Sequence, residues 1–234
     1  IDSYDYNFTG MVDVAKNKFD LKFSTEDIGF TSIKKLAKEI VFSEVPIALD
    51  FITGRVSGEV KVGGKIGNVE VDGEINDADF WIAGEYIKKV SSRFKKRGLI
   101  IDFSNSQGEI AGGKLSVIGS YVMEKSLFND FKISFNDVEL SQLNIFSDPS
   151  LRFMAKMKGE IDLFSGNQEE QLGNIDLKVE NILTELRRFE DSHFKADIVN
   201  NRMNITSDGL GIFKTRRLFH LNDSDKSHLI IEAK

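Results

Sequence analysis

Between Arg55 and Ile75 the chain alternates apolar and polar residues almost without a break, and this period of two constrains the fold more than anything else in it. Val56, Gly58, Val60 and Val62 fall on one side of an extended backbone, and Ser57, Glu59 and Lys61 on the other. After a break at Gly63-Gly64, Val69, Val71, Gly73 and Ile75 resume the pattern against Glu70, Asp72 and Glu74. Successive strand side chains point to opposite faces, so the stretch reads as a hairpin of two strands, each with one wet face.

The same signature recurs along the chain. Tyr4 to Val14 alternates, Asn17 marks a turn, and Phe19, Leu21 and Phe23 return against Asp20, Lys22 and Ser24. Leu115 and Val117, then Phe131, Ile133 and Phe135, continue it. So do Met157, Ile161 and Leu163, followed beyond a polar loop at Asn167–Gln171 by Ile175, Leu177 and Val179. Phe194, Ala196 and Ile198 read as a further strand, with a turn at Asn200-Asn201. Three stretches change period. Thr31–Phe42 places Ile33, Leu36, Ala37, Ile40 and Val41 on one helical face. Glu85–Arg97 carries Tyr86, Ile87, Val90 and Phe94 at helical spacing amid six basic residues. Asn181–Phe189 suggests a short helix through Ile182, Leu183, Leu186 and Phe189. The expected fold is therefore all-β with one to three short helices, an elongated antiparallel sheet.

Two hairpin groups share wording. GEVKV (58–62) and GNVEVDGEI (67–75) resemble GEIDL (159–163) and GNIDLKVENI (173–182), and FDLKFSTEDI (19–28) resembles FKISFNDVEL (131–140). Repeat-like units over about 4–80 and 106–182 are expected within 1–234, with 183–234 belonging to neither. The start Ile1-Asp2-Ser3 is neither an initiator Met nor a signal peptide, and the chain reads as one section of a larger repetitive protein.

The chemistry of catalysis is missing. There is no cysteine, which removes disulfides and thiolate chemistry. A net charge of −6 gives no general basic surface for nucleic acid. Gly108–Lys114 nearly fits a phosphate-binding loop, but Leu115 stands where Ser or Thr would meet Mg²⁺, and a strand pattern follows where a helix must open. It reads as a hairpin turn. His193, His220 and His228 sit in no metal-ligand spacing, and Asn222, Asp223 and Asp225 lack the glycine and distal Glu of a calcium loop. Asn76, Asp77 and Asp79 read as turn residues. No catalytic residue, metal or cofactor is expected.

The remaining feature is the apolar strand face itself. Its residues are Phe19, Leu21, Phe23, Val56, Val60, Val62, Val69, Val71, Ile75, Leu115, Val117, Phe131, Ile133, Phe135, Met157, Ile161, Leu163, Ile175, Leu177 and Val179. Such a face fits the core of a closed sandwich and the lining of an open trough for acyl chains alike; periodicity does not separate the two. The basic stretch 85–97 reads either as a contact for anionic headgroups or as a plug on the end of a β structure with its charges in water.

The runs GRVSGEVKVGGKIGNVEVDGEINDADFWIAG (54–84) and SQGEIAGGKLSVIGSYVMEKSLFNDFKISFNDVELSQL (106–143) resemble the repeating pattern of the AsmA-like superfamily, which includes TamB, YhdP and YdbH. The likeness covers about three quarters of the chain, to about residue 182. It implies a sheet curled into a hydrophobic groove, the β-taco. It also implies a periplasmic protein tethered to the inner membrane through a segment outside this stretch. Phospholipid acyl chains would be the ligand, carried toward the outer membrane. Partners would be an outer-membrane barrel or an inner-membrane protein. The rival readings are a scaffold for outer-membrane protein assembly and a repetitive surface fibre.

Overall fold

A computed structural model describes residues 6–32, 35, 52–65, 68–82, 84–125, 127–144, 153–166, 170–184, 188, 190–199, 202–207, 213–220 and 228–233. The fold is all-β and antiparallel, as the alternation requires. Two compact units divide the chain, one of residues 1–110 with 122–124 and one of 111–121 with 125–234.

The first unit holds β1 (Tyr6–Asp13), β2 (Lys18–Gly29), β3 (Ile52–Lys65), β4 (Asn68–Ile82), β5 (Glu85–Arg97) and β6 (Ile100–Ile110). They lie side by side in chain order, each antiparallel to the one before. The second unit holds β7 (Gly113–Val122), β8 (Leu127–Glu139), β9 (Phe153–Ser165), β10 (Gln171–Thr184), β11 (Ser192–Val199), β12 (Arg202–Ser207), β13 (Phe213–His220) and β14 (His228–Ala233), again in chain order. Leu140–Gln142 forms one turn of 3₁₀ helix after β8.

Asn17 takes φ 54 in the β1–β2 turn, as its position suggests. The Gly108–Lys114 segment is a turn and not a phosphate loop: Ala111 and Gly112 both take positive φ (46 and 76), ending β6 and opening β7. The 55–75 hairpin differs in one detail. Gly63 and Gly64 are not its turn but pair within the ladder with Glu70 and Val69, and the chain reverses between Lys65 and Asn68.

Two expected helices are strands. Residues 85–97 form β5, and Asn181–Thr184 continue β10. Both were misread for one reason, a bulge. In β5, Lys89 takes φ 51 and the register with β6 slips between Lys88 and Ser91, so Ile87 and Val90 both turn to the buried face three residues apart. Beyond it, Val90, Ser92, Phe94 and Lys96 alternate as a strand must. In β10, Asn181 takes φ 56 with a slip between Glu180 and Leu183, so Val179 and Ile182 show the same three-residue spacing. Asn76, Asp77 and Asp79 likewise lie inside β4 and not in a turn; Asn76 is the extra residue where the β3–β4 register shifts. Of the helix expected over 31–42, residues 30–32 and 35 are helical and the rest lies outside the described residues. The segments 167–169, 185–187, 189, 200–201 and 221–227, which hold parts of the expected polar loop, helix and turns, also lie outside them.

The bulges form a series, Thr25-Glu-Asp-Ile28, Ile87-Lys-Lys-Val90, Phe103-Ser-Asn-Ser106, Phe135-Asn-Asp-Val138 and Val179-Glu-Asn-Ile182, and Phe128-Asn-Asp-Phe131 has the same sequence pattern. In each the third residue has positive φ, and in all but Lys89 it is Asp or Asn, the side chains that tolerate the left-handed region. Three of the exposed bulge amides find a side-chain acceptor. The Asp27 N–H donates to Ser57 Oγ (2.9 Å), the Lys89 N–H to Asp79 Oδ1 (2.8 Å) and the Asn181 N–H to Asp191 Oδ1 (3.3 Å).

The bulges also align the two similar hairpin groups. Thr25 pairs with Gly58 and Ile28 with Val56 around the bulge of β2, while Phe135 pairs with Gly159 and Val138 with Met157 around that of β8. By these partners Leu21, not Phe19, is the counterpart of Phe131, since each opposes the residue four after its glycine (Val62 and Leu163).

Candidate functional site

In the first unit the ladders set the apolar residues in rows across the strands. One row runs Phe8, Phe23, Val60, Gly73, Phe94, Phe103; another runs Leu21, Val62, Val71, Lys96, Ile101. Phe19 opposes Gly64 and that opposes Val69; Thr25, Gly58, Ile75 and Ser92 form a further row, and Val56 sits between Ile28 and Ala78. The Phe8 and Phe23 rings lie 4.8 Å apart. Phe94 lays its ring over Gly73, so that a Cβ there would overlap the ring tip.

The second unit repeats the arrangement. Phe131, Leu163, Gly173 and Ile198 form one row, Ile133, Ile161, Ile175 and Ala196 the next, then Phe135, Gly159, Leu177 and Phe194, then Val138, Met157, Val179 and Ser192. Leu115 and Val117 in β7 are half-buried and alternate with exposed Lys114, Ser116 and Ile118. The Phe128 and Phe131 rings meet tilted at 4.6 Å, and Tyr121 and Phe128 tilted at 5.2 Å.

Of the twenty residues predicted to form the apolar face, Val56, Val62, Val71 and Phe131 are buried and the other sixteen are half-buried. None is exposed, though half-burial alone does not set them apart, since Glu59, Lys132, Asp162 and Lys178 on the opposite face are half-buried as well. Phe94, Ile87 and Val90 belong to the same face of the first unit and were missed because the β5 bulge imitates a helical period. The strict alternation from Val90 to Lys96 was the signal that could have found them.

Polar groups on this face are few and individually satisfied. Lys96 is buried; its Nζ donates to the Val69 carbonyl at 3.4 Å, and burial pulls its pKa below the usual lysine value. Ser92 and Ser106 share a hydrogen bond of 2.5 Å. Gln171, expected in a polar loop, is instead buried as the first residue of β10. Its Nε2 donates to the carbonyls of Phe128 (3.3 Å), Phe164 (3.0 Å) and Leu172 (3.1 Å), and its Oε1 accepts from the Phe128 N–H at 2.8 Å.

The opposite face of each unit carries cross-strand ion pairs. Lys22 meets Glu59 at 2.6 Å, Arg93 meets Glu74 at 2.9 Å and Lys95 meets Asp72 at 3.3 Å. In the second unit Lys132 bridges Glu160 (2.9 Å) and Asp162 (3.3 Å), and Lys158 and Lys178 both reach Glu180 (2.8 and 2.7 Å). Hydrogen bonds from Lys22 to Glu59, from His193 to Asp176, and from Lys158 and Lys178 to Glu180 hold these three carboxyls below their ordinary range. Lys132 is raised by Glu160 and Asp162, and Lys178 by Glu180 and Asp191. His193 is thus bonded to a carboxylate on the neighbouring strand; the side chains of His220 and His228 lie outside those described. Among the described residues no group of three or more His, Asp or Glu is placed to hold a metal ion.

The arrangement offers long apolar rows and a charged outer face, which suits contact with hydrocarbon better than directional chemistry. No described helix is long and apolar enough to cross a membrane. No protein-family model matches the chain, and no curated protein or solved structure is significantly similar to it.

Proposed function

We propose that the chain is a non-enzymatic, lipid-conducting section of an AsmA/TamB-like protein, tethered to the inner membrane and moving phospholipid across the periplasm to the outer membrane. One observation carries the reading: in each unit the aligned apolar rows are mostly half-buried, which leaves hydrocarbon surface that an acyl chain can cover. At ~0.8 kcal/mol per methylene, a two-chain lipid with roughly 30 methylenes faces a barrier of about 20 kcal/mol or more on crossing water bare. A continuous apolar wall lowers that barrier without directional bonds. It binds acyl chains with little regard for headgroup, and each point of contact stays weak enough for the lipid to move on. The resemblance of residues 54–84 and 106–143 to the AsmA-like pattern supports the location in this reading.

A scaffold for outer-membrane protein assembly is the rival, favoured by rings such as Phe94 over Gly73 that fill the face from within. Native mass spectrometry of the protein purified from bacteria separates the two. Co-purified phospholipid, reduced in folded Val71→Asp and Ile133→Asp variants, is expected; lipid-free protein, or capture unchanged by both variants, leaves the scaffold.

A further inference from the structure

The chain has one tryptophan, and it stands on the charged face of the first unit. Trp81 opposes Thr53 on β3 and Tyr86 on β5, and is half exposed, at 50%. Tyr86 stacks on it from the β5 side, with centroids 4.9 Å apart and planes at 29°. On the β3 side Trp81 borders a cleft of about 260 Å³ whose other walls include Asp27, Arg55, Asp77 and Asp79.

These polar groups are not equivalent. Arg55 is bound to Asp27, donating to its carboxylate and carbonyl. Asp79 accepts from the Tyr86 hydroxyl (3.0 Å) and the Lys89 N–H (2.8 Å), and so fixes the ring pair and the β5 bulge together. The Asp77 carboxylate is exposed and has no side-chain hydrogen bond or ion pair with another described residue. Three carboxylates against one guanidinium leave the cleft net negative, beside an aromatic face that itself attracts cations. A neutral guest gains nothing from these carboxylates, and an anion is repelled by them.

We propose that this cleft binds an alkylammonium group, with the cation over Trp81 and Asp77 as its counter-ion. The site is separate from the apolar face and stands whether or not that face carries lipid. The ammonium can belong to a free amine or to a zwitterionic lipid headgroup.

Trp81 is its own reporter. Titration with choline is expected to change its fluorescence saturably, with added salt weakening the response. The neutral isostere 3,3-dimethyl-1-butanol should give no saturable change, and Asp77→Asn should weaken choline binding about fivefold while leaving the urea midpoint of the unit unmoved. Vesicles of phosphatidylcholine distinguish the sources: response to choline and vesicles alike identifies the headgroup, response to choline alone a free amine. No saturable choline effect, an equal effect of the neutral isostere, or undiminished binding by Asp77→Asn overturns the proposal.

Discussion

Gly73→Ala tests the packing of the first unit's apolar face. Two effects oppose each other. Replacing a strand-interior glycine removes an entropic cost of about 0.5–1 kcal/mol, and Gly73 has no positive φ to forbid a side chain. Against this, the new Cβ would overlap the tip of the Phe94 ring, which must swing away from the contact it makes on the glycine. Overpacking of this kind costs about 1–3 kcal/mol. Because Phe94 is half-buried and has room to yield, the lower half of that range applies, and the net expectation is a loss of about 1 kcal/mol. Trp81 lies on the same strand, so urea unfolding followed by its fluorescence reads this unit. At about 1–3 kcal/mol per molar urea the midpoint should fall by roughly 0.3–1 M. Adding Phe94→Leu should remove most of the penalty, since the two changes share one contact. A Gly73→Ala protein as stable as the parent, or a penalty unchanged in the double variant, would refute the overlap.

The second unit offers further checks by urea or thermal unfolding followed by circular dichroism. Gln171→Ala removes one side chain that satisfies four backbone groups across β8, β9 and β10, and should cost about 2–4 kcal/mol; a loss under 1 kcal/mol would mean water replaces it freely. Val138→Ala, at a site with no exposed surface, should cost about 2 kcal/mol through lost burial and the cavity left behind. Glu59, Asp176 and Glu180 have folded pKa values below their unfolded ones, so the stability they contribute is full above the ordinary carboxylate pKa and is lost as pH falls through the depressed values. The unfolding midpoint should therefore drop on acidification below about pH 5, with a shallower slope in Glu180→Gln. An identical slope would show that the Lys158–Glu180–Lys178 cluster is too well screened to contribute.

Much of this fold was legible because a half-wet strand writes its burial into alternate residues, as Arg55–Val62 and Val69–Ile75 do. Legibility failed where a bulge inserts one residue. A three-residue gap between apolar positions, as in Ile87-Lys-Lys-Val90, is locally indistinguishable from a turn of helix, and long basic side chains favour that reading. In the other bulges the Asp or Asn before the second inward residue was the available clue, since these side chains accept positive φ without glycine; in β5 that residue is Lys89 and the clue is missing. The Trp81 cleft was less legible. Asn76, Asp77 and Asp79 have the composition of a turn, and only the ladder of β3, β4 and β5 brings the two aspartates beside Arg55 and the aromatic pair. Gln171 was misread for a similar reason, because an amide at a strand end looks like loop until its four partners are in place.

Photo-crosslinking in bacteria tests the proposed lipid path most directly. A benzophenone side chain placed at Phe23, Phe135 or Ile161, on the apolar rows, should yield phospholipid adducts, while the same group at Lys61 or Lys132, on the charged face, should not. Absence of adducts at all three apolar positions, or equal labelling of both faces, would contradict a path for lipid along the sheet.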